Sequence, residues 1–273
     1  MKSLEIPESA IVPLDTVASG VVGLRVLFVN VFAVNTGTGW TLIDTALYGS
    51  AGRIQRWARD HFGDTPPDAI VLTHAHFDHV GALDTLLGDW DVPVYAHRDE
   101  LPYTTGERDY PPPDPSVGGG MMARMSSLYP RHPIDVRGYV RELPADGGLP
   151  TLPGWRWIHT PGHTAGHVSF FRDADRTLLV GDAFCTTRQE SFFAVATQKP
   201  ELHGPPAYFT TDWDAARASV QRLSSLEPHI IAPAHGQPMA GAEATEALAQ
   251  LAGRFDELAR PARGNYVEHP TRG

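Results

Sequence analysis

One cysteine, Cys185, stands in 273 residues, which excludes an intrachain disulfide. Basic residues are scarce: acidic side chains outnumber them 32 to 22, the formal charge is −10, and no block of Lys or Arg stands out. That balance argues against a groove for nucleic-acid phosphates and against an anionic membrane surface. It leaves room for a small acidic substrate held by one local cation. Long apolar runs are missing too. The longest, Val21 to Val34, is interrupted by Arg25 and Asn30 and is too short to span a bilayer. Residues Met1 to Asp15 are polar and lack the apolar stretch of a secretory signal. A soluble, cytoplasmic protein acting on a small molecule is expected, with no nucleic-acid or membrane partner. The 42% of hydrophobic residues are ample for a core. No linker or low-complexity run interrupts the chain, so one domain over 1–273 is expected.

The hydrophobic pattern predicts layered α/β packing. Val21 to Asn35 reads as a hairpin or meander of two strands, and Trp40 to Asp44 as a third. Gly49 to Phe62 carries Ile54, Trp57, Ala58 and Phe62 at amphipathic-helix spacing. A strand over Ala69 to Leu72, a short helix over Gly81 to Leu87 and a strand over Val92 to Ala96 follow. Later strands are predicted at Trp155 to His159, Val168 to Phe171, Thr177 to Val180 and Ile230 to Ala232. A helix over Asp212 to Leu226, with Thr211 and Asp214 as an acidic capping box, and a last helix over Glu243 to Ala259 complete the set. The tail from Ala262 reads as frayed. Residues 102–137, with their prolines and glycines, read as an insertion acting as a lid. Within it, Met121, Met122, Met125 and Leu128 line one side of a short helix.

The densest chemistry lies directly after the Ala69 to Leu72 run. Thr73-His74-Ala75-His76-Phe77-Asp78-His79 packs three histidines and an aspartate into the six positions 74–79. A loop at a strand end converges side chains on a point that a regular element cannot reach. Imidazole and carboxylate suit zinc, iron, manganese or nickel. Four donors exceed what one ion with an open position takes from one loop, which points to two metals. Three more glycine-flanked loops carry metal-type residues: His163 in His159-Thr160-Pro161-Gly162-His163-Thr164, Asp182 in Val180-Gly181-Asp182, and His235 in Pro233-Ala234-His235-Gly236. Together the loops hold seven donors, five histidines and two aspartates.

The ordered set T-H-A-H-x-D-H, T-P-G-H-T, G-D and P-A-H-G resembles the metallo-β-lactamase-fold hydrolase superfamily, from the first strands to His235. The resemblance implies an α/β fold, the four-layer αββα sandwich, with two divalent ions, zinc first and iron or manganese as alternatives. Carried over by motif, His74, His76 and His163 hold one ion, and Asp78, His79 and His235 hold the other. Asp182 bridges them. Asp78 and Asp182 are then the catalytic carboxylates around a hydroxide shared by two ions, which cleaves an ester, thioester or lactone. The resemblance also makes Asp44 an acceptor that orients a histidine ligand. His167 is expected to be structural, and His97 and His203 to lie at the surface.

Within the superfamily, the β-lactamases carry Cys or Ser where Asp182 stands, and flavin-coupled di-iron members carry Glu where His76 stands. Glyoxalase-II-like enzymes share the His159 to Thr164 motif but add a larger C-terminal helical region. Lactonases place Tyr where Cys185 stands. The alternatives kept are a mononuclear iron persulfide dioxygenase and a phosphodiesterase. Phe184 to Phe209 is expected to form a pocket wall, with Phe192, Phe193 and Tyr208 against an acyl chain and Arg188 or Lys199 against a carboxylate.

Overall fold

Short turns between apolar runs impose antiparallel pairing, and the chain opens that way. Strands β1 (Ile11–Ala18), β2 (Val21–Val26), β3 (Val29–Asn35) and β4 (Trp40–Ile43) form a meander. The structure, a computed structural model, describes residues 11–118, 120–187 and 201–271. Two units divide the chain: Met1–Tyr110 with Arg131–Pro153, and Pro111–Pro130 with Gly154–Gly273.

In the first unit, pairing turns parallel after β4, and parallel neighbours require a crossover. Helix α1 (Ala51–Phe62) supplies it between β4 and β5 (Ala69–Val71). Helices α2 (Phe77–Val80) and α3 (Leu83–Trp90) supply it between β5 and β6 (Val94–Ala96). Strand β7 (Val140–Glu142) completes a seven-stranded sheet in sequential order, and α4 (Leu101–Thr104) follows β6. Every residue of β4 and β5 is buried, as in a sheet covered on both faces. The α1 helix buries Ile54, Trp57 and Ala58 of the predicted face together with Ala51, while Phe62 at its end is only half-buried. At its end Gly63, at φ 71°, closes an amide-to-carbonyl bond onto Arg59.

The second unit holds a five-stranded sheet in the order β12-β11-β10-β9-β8. Its strands are β8 (Trp155–His159), β9 (Val168–Arg172), β10 (Thr177–Gly181), β11 (Ile230–Pro233) and β12 (Met239–Ala240). Helix α5 (Met121–Met125) precedes them, α6 (Trp213–Ser224) makes the crossover between the parallel strands β10 and β11, and α7 (Ala242–Gly253) follows β12. Trp213, Ala216, Val220 and Leu223 are the buried face of α6.

Several local expectations are corrected. The cap of α6 is Asp212, whose carboxylate accepts from the amides of Asp214 and Ala215 at 3.1 and 2.9 Å, so Thr211 does not cap it. The last predicted helix breaks at Arg254 (φ −126°) into α7 and α8 (Phe255–Leu258), which leaves Leu258 45% exposed. The tail is not simply frayed: α9 (Asn265–Glu268) buries Tyr266, whose hydroxyl donates to the Pro112 carbonyl at 2.5 Å. Strands β1, β7 and β12 went unread. Among the described residues no helix is long and apolar enough to cross a membrane.

The loop after β4 is stitched to the histidine loop. Thr45 N–H donates to the His79 carbonyl at 2.7 Å, and Gly81 N–H to the Ala46 carbonyl at 2.8 Å. The approach is so close that a Cβ on Gly81 would lie 2.2 Å from the Tyr48 nitrogen and 2.5 Å from the Leu47 carbonyl carbon. Gly81→Ala is therefore expected to destabilise the protein by about 1–3 kcal/mol through overpacking. Denaturant unfolding checks this; an unchanged midpoint would contradict the backbone contact.

Candidate metal centre

Strand β5 ends and the chain turns through Thr73 to His76 before α2 begins. Against this loop lies the buried Asp44 carboxylate, placed just after β4 with φ 59°, which collects three donors. Thr73 donates through its amide to Oδ1 at 2.8 Å and through its hydroxyl to Oδ2 at 2.7 Å, while His79 Nδ1 lies 2.8 Å from Oδ2. A carboxylate accepts only, so His79 carries its proton on Nδ1 and a lone pair on Nε2. The Thr73 hydroxyl has spent its proton on Asp44, so its oxygen accepts from His74 Nδ1 at 3.1 Å. One aspartate thus sets two imidazoles, His79 directly and His74 through Thr73. His74 Nε2 then stands 2.9 Å from His76 Nδ1, and His79 Nε2 stands 3.9 Å from Asp78 Oδ1. All four side chains are buried.

In the second unit the donors follow strand ends. Gly181 and Pro233 are paired at the ends of the parallel strands β10 and β11, and Asp182 and His235 come directly or shortly after them. His163 lies in the loop joining β8 to β9. There Gly162 takes φ 133°, and a Cβ would meet the Ala216 nitrogen at 2.3 Å. Asp182 Oδ2 is 3.4 Å from His163 Nε2 and 3.2 Å from His235 Nε2, and all three residues are buried. His163 Nδ1 faces the Thr210 hydroxyl at 3.4 Å, and that hydroxyl donates to the Pro206 carbonyl at 2.9 Å. The proton of His163 therefore belongs on Nδ1, and its Nε2 lone pair is turned to the carboxylate.

His167 has a defined task. Its Nε2 accepts the Asp182 N–H at 2.8 Å, which places its proton on Nδ1, 2.8 Å from the Thr160 hydroxyl. Thr160 lies 3.1 Å from Ser169 Oγ, and Ser169 donates to the Val180 carbonyl at 2.7 Å. The chain of bonds runs from the Asp182 backbone into β10.

The sequence model of the metallo-beta-lactamase superfamily matches residues 24–235. The chain belongs to the metallo-beta-lactamase superfamily. Probable metallo-hydrolase YflN of Bacillus subtilis (strain 168) is 46% identical over 245 residues, spanning 88% of this chain and 93% of the relative. The crystal structure of TTHA1623 in a di-iron-bound form is similar with TM-score 0.53 and 29% identity, covering 83% of this chain and 93% of that one. The metallo-beta-lactamase FIM-1 from Pseudomonas aeruginosa, in its mono-zinc form, shares the fold with TM-score 0.57 and 19% identity over 90% of this chain and 96% of its own. The protein is accordingly a metal-dependent hydrolase of the metallo-beta-lactamase fold.

The donor chemistry fits metal in each unit. Buried carboxylate oxygens and imidazole lone pairs facing one another within 4 Å repel unless a cation or a proton lies between them. Superfamily metal ions are such cations, and hard-to-borderline N and O ligands suit zinc, iron and manganese. Other histidines go elsewhere. His159 Nε2 meets the Ala165 carbonyl at 2.7 Å and closes its own loop. His97 is buried, against expectation, and its Nδ1 accepts the Asp99 amide at 3.3 Å at the head of a helical turn. His203 is one-quarter exposed and pairs its backbone with Cys185, which is fully buried. Tyr208 is buried, and Arg188, Phe192, Phe193 and Lys199 lie outside the described residues.

Sequence reading missed Thr73, Thr160 and Thr210 as partners of histidines; a hydroxyl directly before His74 was the one local signal. His167→Phe keeps an aromatic ring but removes the acceptor for the Asp182 amide. It is expected to lower unfolding stability by about 1–3 kcal/mol, the cost of a buried amide left unsatisfied. Equal stability in chemical denaturation would show that the amide has another acceptor.

Proposed function

We propose that the protein is a dinuclear metal hydrolase for a small ester, thioester or lactone. His74, His76 and His163 hold one ion, and Asp78, His79 and His235 hold the other. Asp182 is shared. The observation that carries this reading is the position of Asp182 Oδ2, 3.4 Å from His163 Nε2 and 3.2 Å from His235 Nε2, two histidines assigned to different ions. A lone structural aspartate needs no such pair of imidazoles.

Bound there, the two ions supply a Lewis acid for the scissile carbonyl and acidify water toward a pKa of about 7. The protein's own part is preorganisation. Asp44 fixes the tautomers of His79 and His74, and His167 holds the Asp182 backbone. Asp78, buried at the mouth of α2, orients the attacking water through its carboxylate. Cys185 is buried with no exposed surface, so covalent catalysis through sulfur has no support. Zinc is the first choice of metal. Iron gains support from the di-iron form of TTHA1623, which is 29% identical. Within this reading residues 102–137 act as a lid, to which Met121, Met125 and Leu128 offer exposed apolar side chains. The substrate is a small molecule, and the cytoplasm is the compartment.

The test combines metal counting with a substrate screen. Purified protein is expected to carry two ions per chain and to cleave a carboxylic ester, thioester or lactone until chelator strips it. Asp182→Ala is expected to lower kcat/KM by more than about 100-fold with circular dichroism unchanged. One ion per chain with oxygen uptake on a persulfide, or full activity of the variant, would contradict the reading.

A further inference from the structure

The histidine loop is gripped from behind by a pair of residues that none of the chemistry above uses. Glu100 ends the helical turn after β6 and is fully buried. Its Oε2 accepts the Ala75 N–H at 3.0 Å, and the Tyr110 hydroxyl oxygen also lies 3.0 Å from that nitrogen. Tyr110 in turn donates its own proton to the Glu100 carboxylate in a very close contact. Burial first, and then the negative charge of Glu100, push the Tyr110 hydroxyl well above its usual range, so it stays a donor. The Tyr110 ring stacks on Tyr103 at 3.8 Å and lies 4.3 Å from the His76 ring. Its backbone is anchored as well: its amide donates to the Arg131 carbonyl at 3.1 Å, and the Arg131 guanidinium returns a bond at 3.1 Å.

Ala75 is the spacer between His74 and His76. With a single residue between two ligands, the orientation of its peptide decides how the two imidazoles meet, and here their nitrogens stand 2.9 Å apart. Any acceptor satisfies a loop amide. A fully buried carboxylate is a costly one to choose, and it persists only when charge-assisted donors hold it. Tyr110 and Ala75 are two such donors. We propose that Glu100, held by Tyr110, is a positioning residue that sets the His74–His76 pair for metal through the Ala75 amide.

This inference rests on the metal-centre reading, and the test separates the two. Zinc affinity of the full chain is measured by competition with a chromophoric chelator, alongside thermal unfolding of the metal-free protein. Glu100→Ala is expected to weaken the binding step of one of the two ions by about 10–100-fold, the range for partners that orient ligands. Glu100→Gln keeps an acceptor for Ala75 and is expected to stay within about 3-fold of wild type. Wild-type affinity in Glu100→Ala, equal loss in both binding steps, or a Gln variant as weak as the Ala variant would each overturn the proposal. Should Glu100→Ala fail to fold, Tyr110→Phe removes the donor that holds the carboxylate. It is then expected to weaken the same single step, and unchanged affinity would overturn the proposal. A wild-type protein that binds one ion sinks the dinuclear reading alone. The Glu100 claim would then stand or fall on whether that ion binds more weakly in the variant.

Discussion

Buried carboxylates turned toward imidazole nitrogens are the constraint on which this molecule depends. Asp44 and Asp182 lie almost completely inside the protein; Asp44 faces His79 at 2.8 Å, and Asp182 faces His163 and His235 within 3.4 Å. Such groups are expensive to bury unless donors or cations satisfy them. Asp44 is satisfied by protons: two from Thr73 and one from His79. Asp182 has a backbone amide anchored by His167, while its side-chain oxygen faces two imidazoles, of which His163 has its proton committed to the far nitrogen.

The two sheets serve that end in the same way. In each unit, donors sit just past the ends of strands, where the backbone is fixed by pairing on one side and free to turn on the other. Asp44 follows β4 and His74 to His79 follow β5, two parallel neighbours; Asp182 follows β10 and His235 follows β11, two more. The turns are tight. Asp44 and Ala46 hold positive φ without being glycine, and Gly162 sits where a side chain would strike α6. Strain of this kind is tolerated where the surroundings fix it, as the bonds from Thr45 and Gly81 do here.

Much of this was legible in the residues because the relevant signals are local. The donors of the first loop are contiguous, the glycines flank their ligands, and α1 and α6 show their buried faces through simple periodicity. What escaped was set by distant partners. Strand β7 has only half-buried or exposed residues and exists because it pairs with β6. The break at Arg254 interrupts an apolar register that continues on paper through Leu258. Asp212 outcompetes Thr211 as a cap because its carboxylate reaches two amides at once. Glu100 and Tyr110 lie 25 and 35 residues from Ala75, with no motif to mark them. The superfamily match to residues 24–235 explains why the loop motifs spoke so clearly for the fold and left the substrate open.

Anomalous diffraction at the metal edge from crystals of metal-loaded protein tests the central claim most directly. The account predicts two peaks about 3.5–4 Å apart, both within about 2.0–2.2 Å of Asp182 oxygen. A single peak, or ions bound away from Asp182, would contradict it.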